Sequence, residues 1–105
     1  MAVADGIDLS IARREWSTSA PGASPAVRMQ GPFNITLWGT FTGLSATLQR
    51  SFDAGTTWVD CTNGGLAFTR TGPASETWQE PEAGVLYRVN VTAIASGTVN
   101  VRLSK

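Results

Sequence analysis

Apolar and polar residues alternate with a period of two over most of the chain, and the clearest instance lies late. Val85, Tyr87, Val89 and Val91 share one parity, with Arg88 and Asn90 on the other. Side chains on a strand point alternately to opposite faces, so this run predicts a strand with one buried face. Phe33, Ile35, Leu37 and Phe41 form a second such face, with Gly39 among them, and Asn34, Thr36, Trp38 and Thr40 lie opposite. Val27 and Met29 alternate with Arg28 and Gln30, and Leu48 with Thr47 and Gln49. Thr57, Val59 and Cys61 share a face. Leu66–Phe68 is a short apolar run, Ser75 to Glu80 a strand carrying Trp78, and Val99, Val101 and Leu103 the last inward row. Trp78 is expected on a polar face with Glu76 and Glu80.

Turn signals separate these runs. They are Asn63-Gly64-Gly65, Thr71-Gly72-Pro73, Pro81-Glu82-Ala83-Gly84 and Ser96-Gly97, the last expected to close a hairpin between Val91 and Leu103. About seven strands with turns every ~8–12 residues, and no convincing helix, predict an antiparallel β-sandwich, with a small closed barrel as the alternative.

The strongest local motif is Ser51-Phe52-Asp53-Ala54-Gly55-Thr56-Thr57-Trp58, which fits the Asp-box pattern Ser-x-Asp-x-Gly-x-Thr-Trp. Its chemistry is that of a hairpin. Ser51 and Asp53 are short enough to bond turn amides, Gly55 tolerates positive φ, and Trp58 folds over the turn. In sialidases the Asp-box is structural and recurs once per propeller blade. It occurs once here, so it predicts a turn and no glycosidase.

The N-terminal quarter reads differently. Ile7-Asp8-Leu9-Ser10-Ile11 alternates like a short strand; Arg13-Arg14-Glu15-Trp16 follows, then the loop-like Ser17–Pro25. Residues 1–25 are therefore read as an arm that crosses its own domain or reaches a neighbour, and 26–105 as the folded domain.

Composition narrows the function classes. Eight basic and eight acidic residues give no net charge, which argues against nucleic acid bound through phosphates. All the basic residues but Lys105 are arginine, the cation favoured at interfaces. With no histidine and one cysteine, Cys61, the chain lacks the usual general base and metal ligands, and no cofactor is implied. No signal peptide is visible and no apolar run reaches the ~20 residues of a membrane span. Asp53 has its turn role and Glu80 and Glu82 flank Pro81, so no carboxylate pair suggests an enzyme. The candidate contact residues are Arg13, Arg14, Trp16, Trp38 and Trp78. Trp38 and Trp78 are read as buried against a partner subunit or under the arm, or else Trp38 as covered by a second sheet and Trp78 as an edge-strand residue half-buried in its own domain, with a sugar-stacking platform as a third reading.

Pro81-Glu82-Ala83-Gly84-Val85-Leu86-Tyr87-Arg88-Val89 is similar to the corner and penultimate strand of immunoglobulin and fibronectin type III domains, where a Tyr at the position of Tyr87 bonds back to the corner. Together with Gln49–Trp58 and Ser96–Ser104, it resembles small Ig-like virion proteins of tailed bacteriophages. That resemblance implies an Ig-like or fibronectin-III-like antiparallel β-sandwich with an extended N-terminal arm. It further implies a capsid decoration protein on the outer face of the major capsid protein lattice, made in the host cytoplasm. It also implies self-association, with a trimer as one form. A tail or neck component, or a small carbohydrate-binding β-sandwich module, is the alternative.

Overall fold

The computed structural model describes residues 13–105. Ten strands form an all-antiparallel fold: β1 Arg13–Thr18, β2 Gly22–Ala23, β3 Val27–Thr42, β4 Ser45–Ser51, β5 Val59–Asp60, β6 Thr62–Asn63, β7 Leu66–Ala67, β8 Thr69–Arg70, β9 Ala74–Ala93 and β10 Ser96–Ser104. The main sheet runs β1-β10-β3-β9-β4-β5, with β2 joined to β9 and β8 to β4, while β6 and β7 form a separate small hairpin.

Two long strands carry this sheet from one layer to the other. The C-terminal part of β3 and the first half of β9 lie with β1 and β10 in the first layer. The start of β3 and the second half of β9 lie with β2, β4, β5 and β8 in the second. The crossing is a wide bulge. Between the pairs Met29↔Val85 and Gly31↔Glu80, two steps along β3 face five along β9. Gly31 (φ 77°) and Gly84 (φ 85°) take the left-handed conformations the bend needs. Pro81–Gly84, expected as a turn between strands, is thus a bulge inside one strand. Proline is tolerated there because a bulge leaves residues outside the ladder.

The inner rows are those the period-two pattern marks. Met29, Phe33, Ile35 and Leu37 from β3, Ala46 and Leu48 from β4, Val85, Tyr87, Val89 and Val91 from β9, and Val99, Val101 and Leu103 from β10 are all buried. Phe33 of the first layer meets Tyr87 of the second edge-on, ring centroids 4.7 Å apart, in the favoured aromatic geometry. This two-layer, antiparallel, β-sandwich-like architecture matches the expected class.

Three expectations need correction. First, no hairpin joins Val91 to Leu103: β3 lies between β9 and β10, and the chain crosses layers at Ile94–Ala95, where the Ala95 amide donates to Thr42 O at 2.9 Å. The immunoglobulin-like final strand pair is therefore absent. Second, the stretch that follows Arg13, read as loop from Ser17 to Pro25, contains two strands that pair with their own domain. β1 pairs with β10 from Arg13↔Ser104 to Thr18↔Val99, and β2 pairs with β9. Ser24 is buried, its amide donating to Val89 O and its Oγ accepting from the Val89 amide, both at 2.9 Å. Ser/Pro/Gly-rich sequence reads as loop because it has little to bury, yet a sheet edge needs only backbone. Third, Glu76, Trp78 and Glu80 share the inner parity of β9. The expected strand Ile7–Ile11 lies outside the described residues.

Candidate functional site

The Asp-box loop links β4 to β5 and is built as its residue types dictate. Ala54 (φ 60°) and Gly55 (φ 92°) turn the chain. Ser51 Oγ donates to Asp53 Oδ1 at 2.8 Å and accepts the Gly55 amide at 2.9 Å. Asp53 Oδ1 also accepts the Thr57 amide at 2.8 Å, and that bond, with Ser51, holds the Asp53 carboxyl down at about 2. Trp58 lies beneath the Arg88 guanidinium, whose carbon is 4.2 Å from the ring centroid. Asp53 Oδ1 is thus engaged in the turn.

Behind this loop lies a buried ionic cluster. Glu80 is 2% exposed; its Oε1 accepts from the Tyr87 hydroxyl at 2.6 Å and Arg50 Nη1 at 2.9 Å, and its Oε2 accepts the Glu82 amide at 3.0 Å. Burial alone raises a carboxyl, but the bonds from Tyr87, Glu82 and Arg50 outweigh it, and Glu80 sits below its ordinary range. Burial, with Glu80 as acceptor, pushes the Tyr87 hydroxyl well up. Tyr87 does reach back to the bulge, but through the Glu80 side chain. The cluster ties β9 to β4 and leaves no carboxylate oxygen aimed at solvent chemistry.

Several other charged side chains are paired within the domain. Arg70 grips Glu76 in a two-pronged pair and stacks on Phe68, 4.0 Å from its centroid. Gln49 bridges Arg88 and Asp60, both at 2.8–2.9 Å. Burial lifts the Cys61 thiol to about 12. Among the described residues, no group of three His, Cys, Asp or Glu side chains is placed to hold a metal ion, and no helix is long and apolar enough to cross a membrane.

Two features stand out. One is a set of exposed apolar side chains at the edge of the second layer and on the separate β6–β7 hairpin. Phe52 on the Asp-box loop, Val59 opposite Arg50 on β5, and Leu66 on the β6–β7 hairpin are 53%, 49% and 74% exposed. Arg50 bridges the first two, its guanidinium carbon 5.0 Å from the Phe52 centroid. The alternation rule places Val59 inward with Cys61, but only Cys61 is covered, because β5 is a two-residue edge strand. Phe52 lies inside the Asp-box motif just before its turn and Leu66 just after Asn63-Gly64-Gly65, which is the one sequence cue to their exposure.

The other surface is the outer face of the first layer. Trp38 is 43% exposed there. A groove of about 270 Å³ runs beside it, lined by Glu15, Trp16, Ser17, Trp38, Asn100 and Val101. Around Trp38 the face is hydroxyl- and amide-rich: Thr36 bonds Ser75 at 3.2 Å, Ser19 bonds Thr98 at 2.8 Å, and Asn100 Nδ2 donates to Trp38 O at 3.3 Å.

Of the expected contact residues, the fold brings Trp16 and Trp38 to one groove. Trp16 also leans on the core from β1. Arg13 and Arg14 sit on the same edge strand: Arg13 lies 3.9 Å from Glu15, and Arg14 Nε donates to Ala26 O at 3.3 Å. Trp78 lies elsewhere, half-buried against its own core and edge-on to Phe68 at 4.9 Å. Comparisons with family models, with curated proteins and with solved structures find no match to this chain.

Proposed function

We propose that the protein is a non-enzymatic structural module that works by docking, and specifically a decoration protein on the major capsid protein lattice of a tailed-phage virion. The observation that carries the docking reading is the set of exposed apolar side chains Phe52, Val59 and Leu66 on a domain whose buried Glu80 and Tyr87 are spent in internal bonds. Side chains of this kind, beside a partly exposed arginine, suit a protein partner. The virion assignment rests on the resemblance carried by Gln49–Trp58, Pro81–Val89 and Ser96–Ser104. A ligand that engages only the assembled shell stabilises that shell, and repetition of weak sites multiplies the effect. The test is quantitative mass spectrometry of purified particles. Copies in a simple ratio to the major shell protein support decoration; a handful per particle moves the protein to the neck or tail; absence refutes the virion reading.

One observation favours a second reading. Trp38, exposed beside a hydroxyl- and amide-lined groove, offers an aromatic face with polar partners at its rim, the arrangement a pyranose ring needs. Tryptophan fluorescence titrated with glycans, against Trp38→Ala, tests it. A saturable change lost in the variant supports a glycan module.

A further inference from the structure

The groove beside Trp38 offers more than an aromatic face. Ser17, Asn100 and Trp38 stand in one register row across β1, β10 and β3. Ser17 and Asn100 are short, so they make a low floor, and the half-exposed Trp38 rises at one side. Glu15 lies two residues from Ser17, hence on the same face of β1, and lines the other side. At ~4.8 Å per strand and ~3.4 Å per residue, the backbones at Trp38 and Glu15 are ~12 Å apart, a span that one sugar ring bridges between their side chains.

Charge narrows what that ring can be. Of the described residues lining the groove, Glu15 alone is charged. Its side chain is 56% exposed, and its Oε2 lies 3.6 Å from Arg102 Nε and 3.9 Å from Arg13 Nε. Both distances exceed hydrogen-bond reach, so charge holds the carboxylate while its oxygens remain able to accept.

An anionic ligand would meet this carboxylate at contact distance, and neither arginine lines the groove to receive it. A cationic ligand would gain little, because the two guanidinium groups behind Glu15 already offset its charge. The wall therefore presents a pair of acceptor oxygens with its charge balanced from behind. Adjacent hydroxyls of an uncharged sugar can donate to it, one to each oxygen, while the C–H face of the ring covers Trp38.

We propose that this groove binds a neutral hexopyranose with a vicinal diol, Trp38 stacking on the ring and Glu15 accepting from the two hydroxyls. Arg102 and Arg13 are positioning residues that hold Glu15. This ligand class rests on the glycan reading of the groove and adds to it the residue that selects the sugar.

The test uses the full chain and the methyl glycosides of glucose, galactose and mannose, each beside its uronic acid and its 2-amino sugar. Binding is followed by tryptophan fluorescence and saturation-transfer NMR. An uncharged glycoside should bind saturably, about tenfold or more tighter than its uronic acid and no weaker than its amino sugar. Glu15→Gln keeps the shape but replaces one acceptor oxygen by a donor. It should weaken that glycoside about tenfold and narrow its lead over the uronic acid. Glu15 is exposed on an edge strand, so the variant should keep the parent's circular dichroism spectrum. A glycoside that binds at Trp38 but is matched by its uronic acid, is surpassed by its amino sugar, or is indifferent to Glu15→Gln overturns the proposal and leaves the glycan reading standing. Binding that survives Trp38→Ala, or no binding by any of these sugars, overturns both.

Discussion

Tyr87→Phe tests the Glu80 cluster cleanly, because it removes one hydroxyl and keeps the ring against Phe33. Tyr87 is fully buried, and its hydroxyl donates to a buried carboxylate at 2.6 Å. A hydrogen bond to a charged acceptor contributes ~1.5–3 kcal/mol, so the variant should lose about 2 kcal/mol. For a domain of this size that lowers the melting temperature by roughly 10 °C. Thermal and urea unfolding followed by tryptophan fluorescence measure both, and the urea slope should not change. The loss should also depend on pH. Glu80 is depressed in the folded state, so its contribution is full above the ordinary carboxylate value and disappears as pH falls through the depressed one. Once Glu80 is protonated, Tyr87 faces a neutral acceptor and the penalty should shrink to about 1 kcal/mol. Arg50 and the Glu82 amide remain in place, so the variant should still fold. An unchanged melting temperature, or a penalty equal at neutral and acid pH, would refute the charged hydrogen bond as the stabilising element.

Three other outcomes follow from the same geometry. Asp53, held at about 2 by the Thr57 amide and Ser51, contributes stability that is present above pH 3.8 and lost as pH falls towards 2. Asp53→Ala should lower the melting temperature near neutral pH and flatten its acid dependence in that window, and an unaltered acid profile would count against the turn bonds. Cys61, buried and raised to about 12, should resist a thiol reagent until denaturant is added; prompt labelling of the folded protein would contradict its placement. Gly97 (φ 87°) packs against the Thr40 carbonyl and Phe41 Cα, where a Cβ has no room. Gly97→Ala should therefore cost ~3 kcal/mol or more in urea unfolding, and a loss below ~1 kcal/mol would disprove that close approach.

Much of this protein follows from alternation and turn chemistry alone. The inward rows Phe33–Leu37, Val85–Val91 and Val99–Leu103 are buried because a one-residue slip would turn each to solvent, so a period of two sets the face wherever one side is apolar. The Asp-box is equally local: Ser51, Asp53, Gly55 and Thr57 satisfy one another within seven residues, and no distant part of the chain is needed. Asn63-Gly64-Gly65 closes the β6–β7 hairpin for the same reason, with both glycines at positive φ.

What local pattern does not contain is which strand lies beside which. Backbone hydrogen bonds are alike for every sequence, so the Ser/Pro/Gly-rich residues 13–24 become sheet edges as readily as a Val-rich run. Pro81–Gly84 reads as a turn because proline and glycine end strands locally; the long pairing of β3 with β9 makes it a bulge. Glu76 and Glu80 look like a solvent face because charge is normally exposed, and only the approach of Arg70 and Arg50 from other strands, and of Tyr87 from beyond the bulge in β9, lets them turn inward. The exposure of Phe52, Val59 and Leu66 is likewise decided by which strands stop short. Periodicity thus determines each side chain's face, while the partner across that face depends on contacts between residues far apart in the chain.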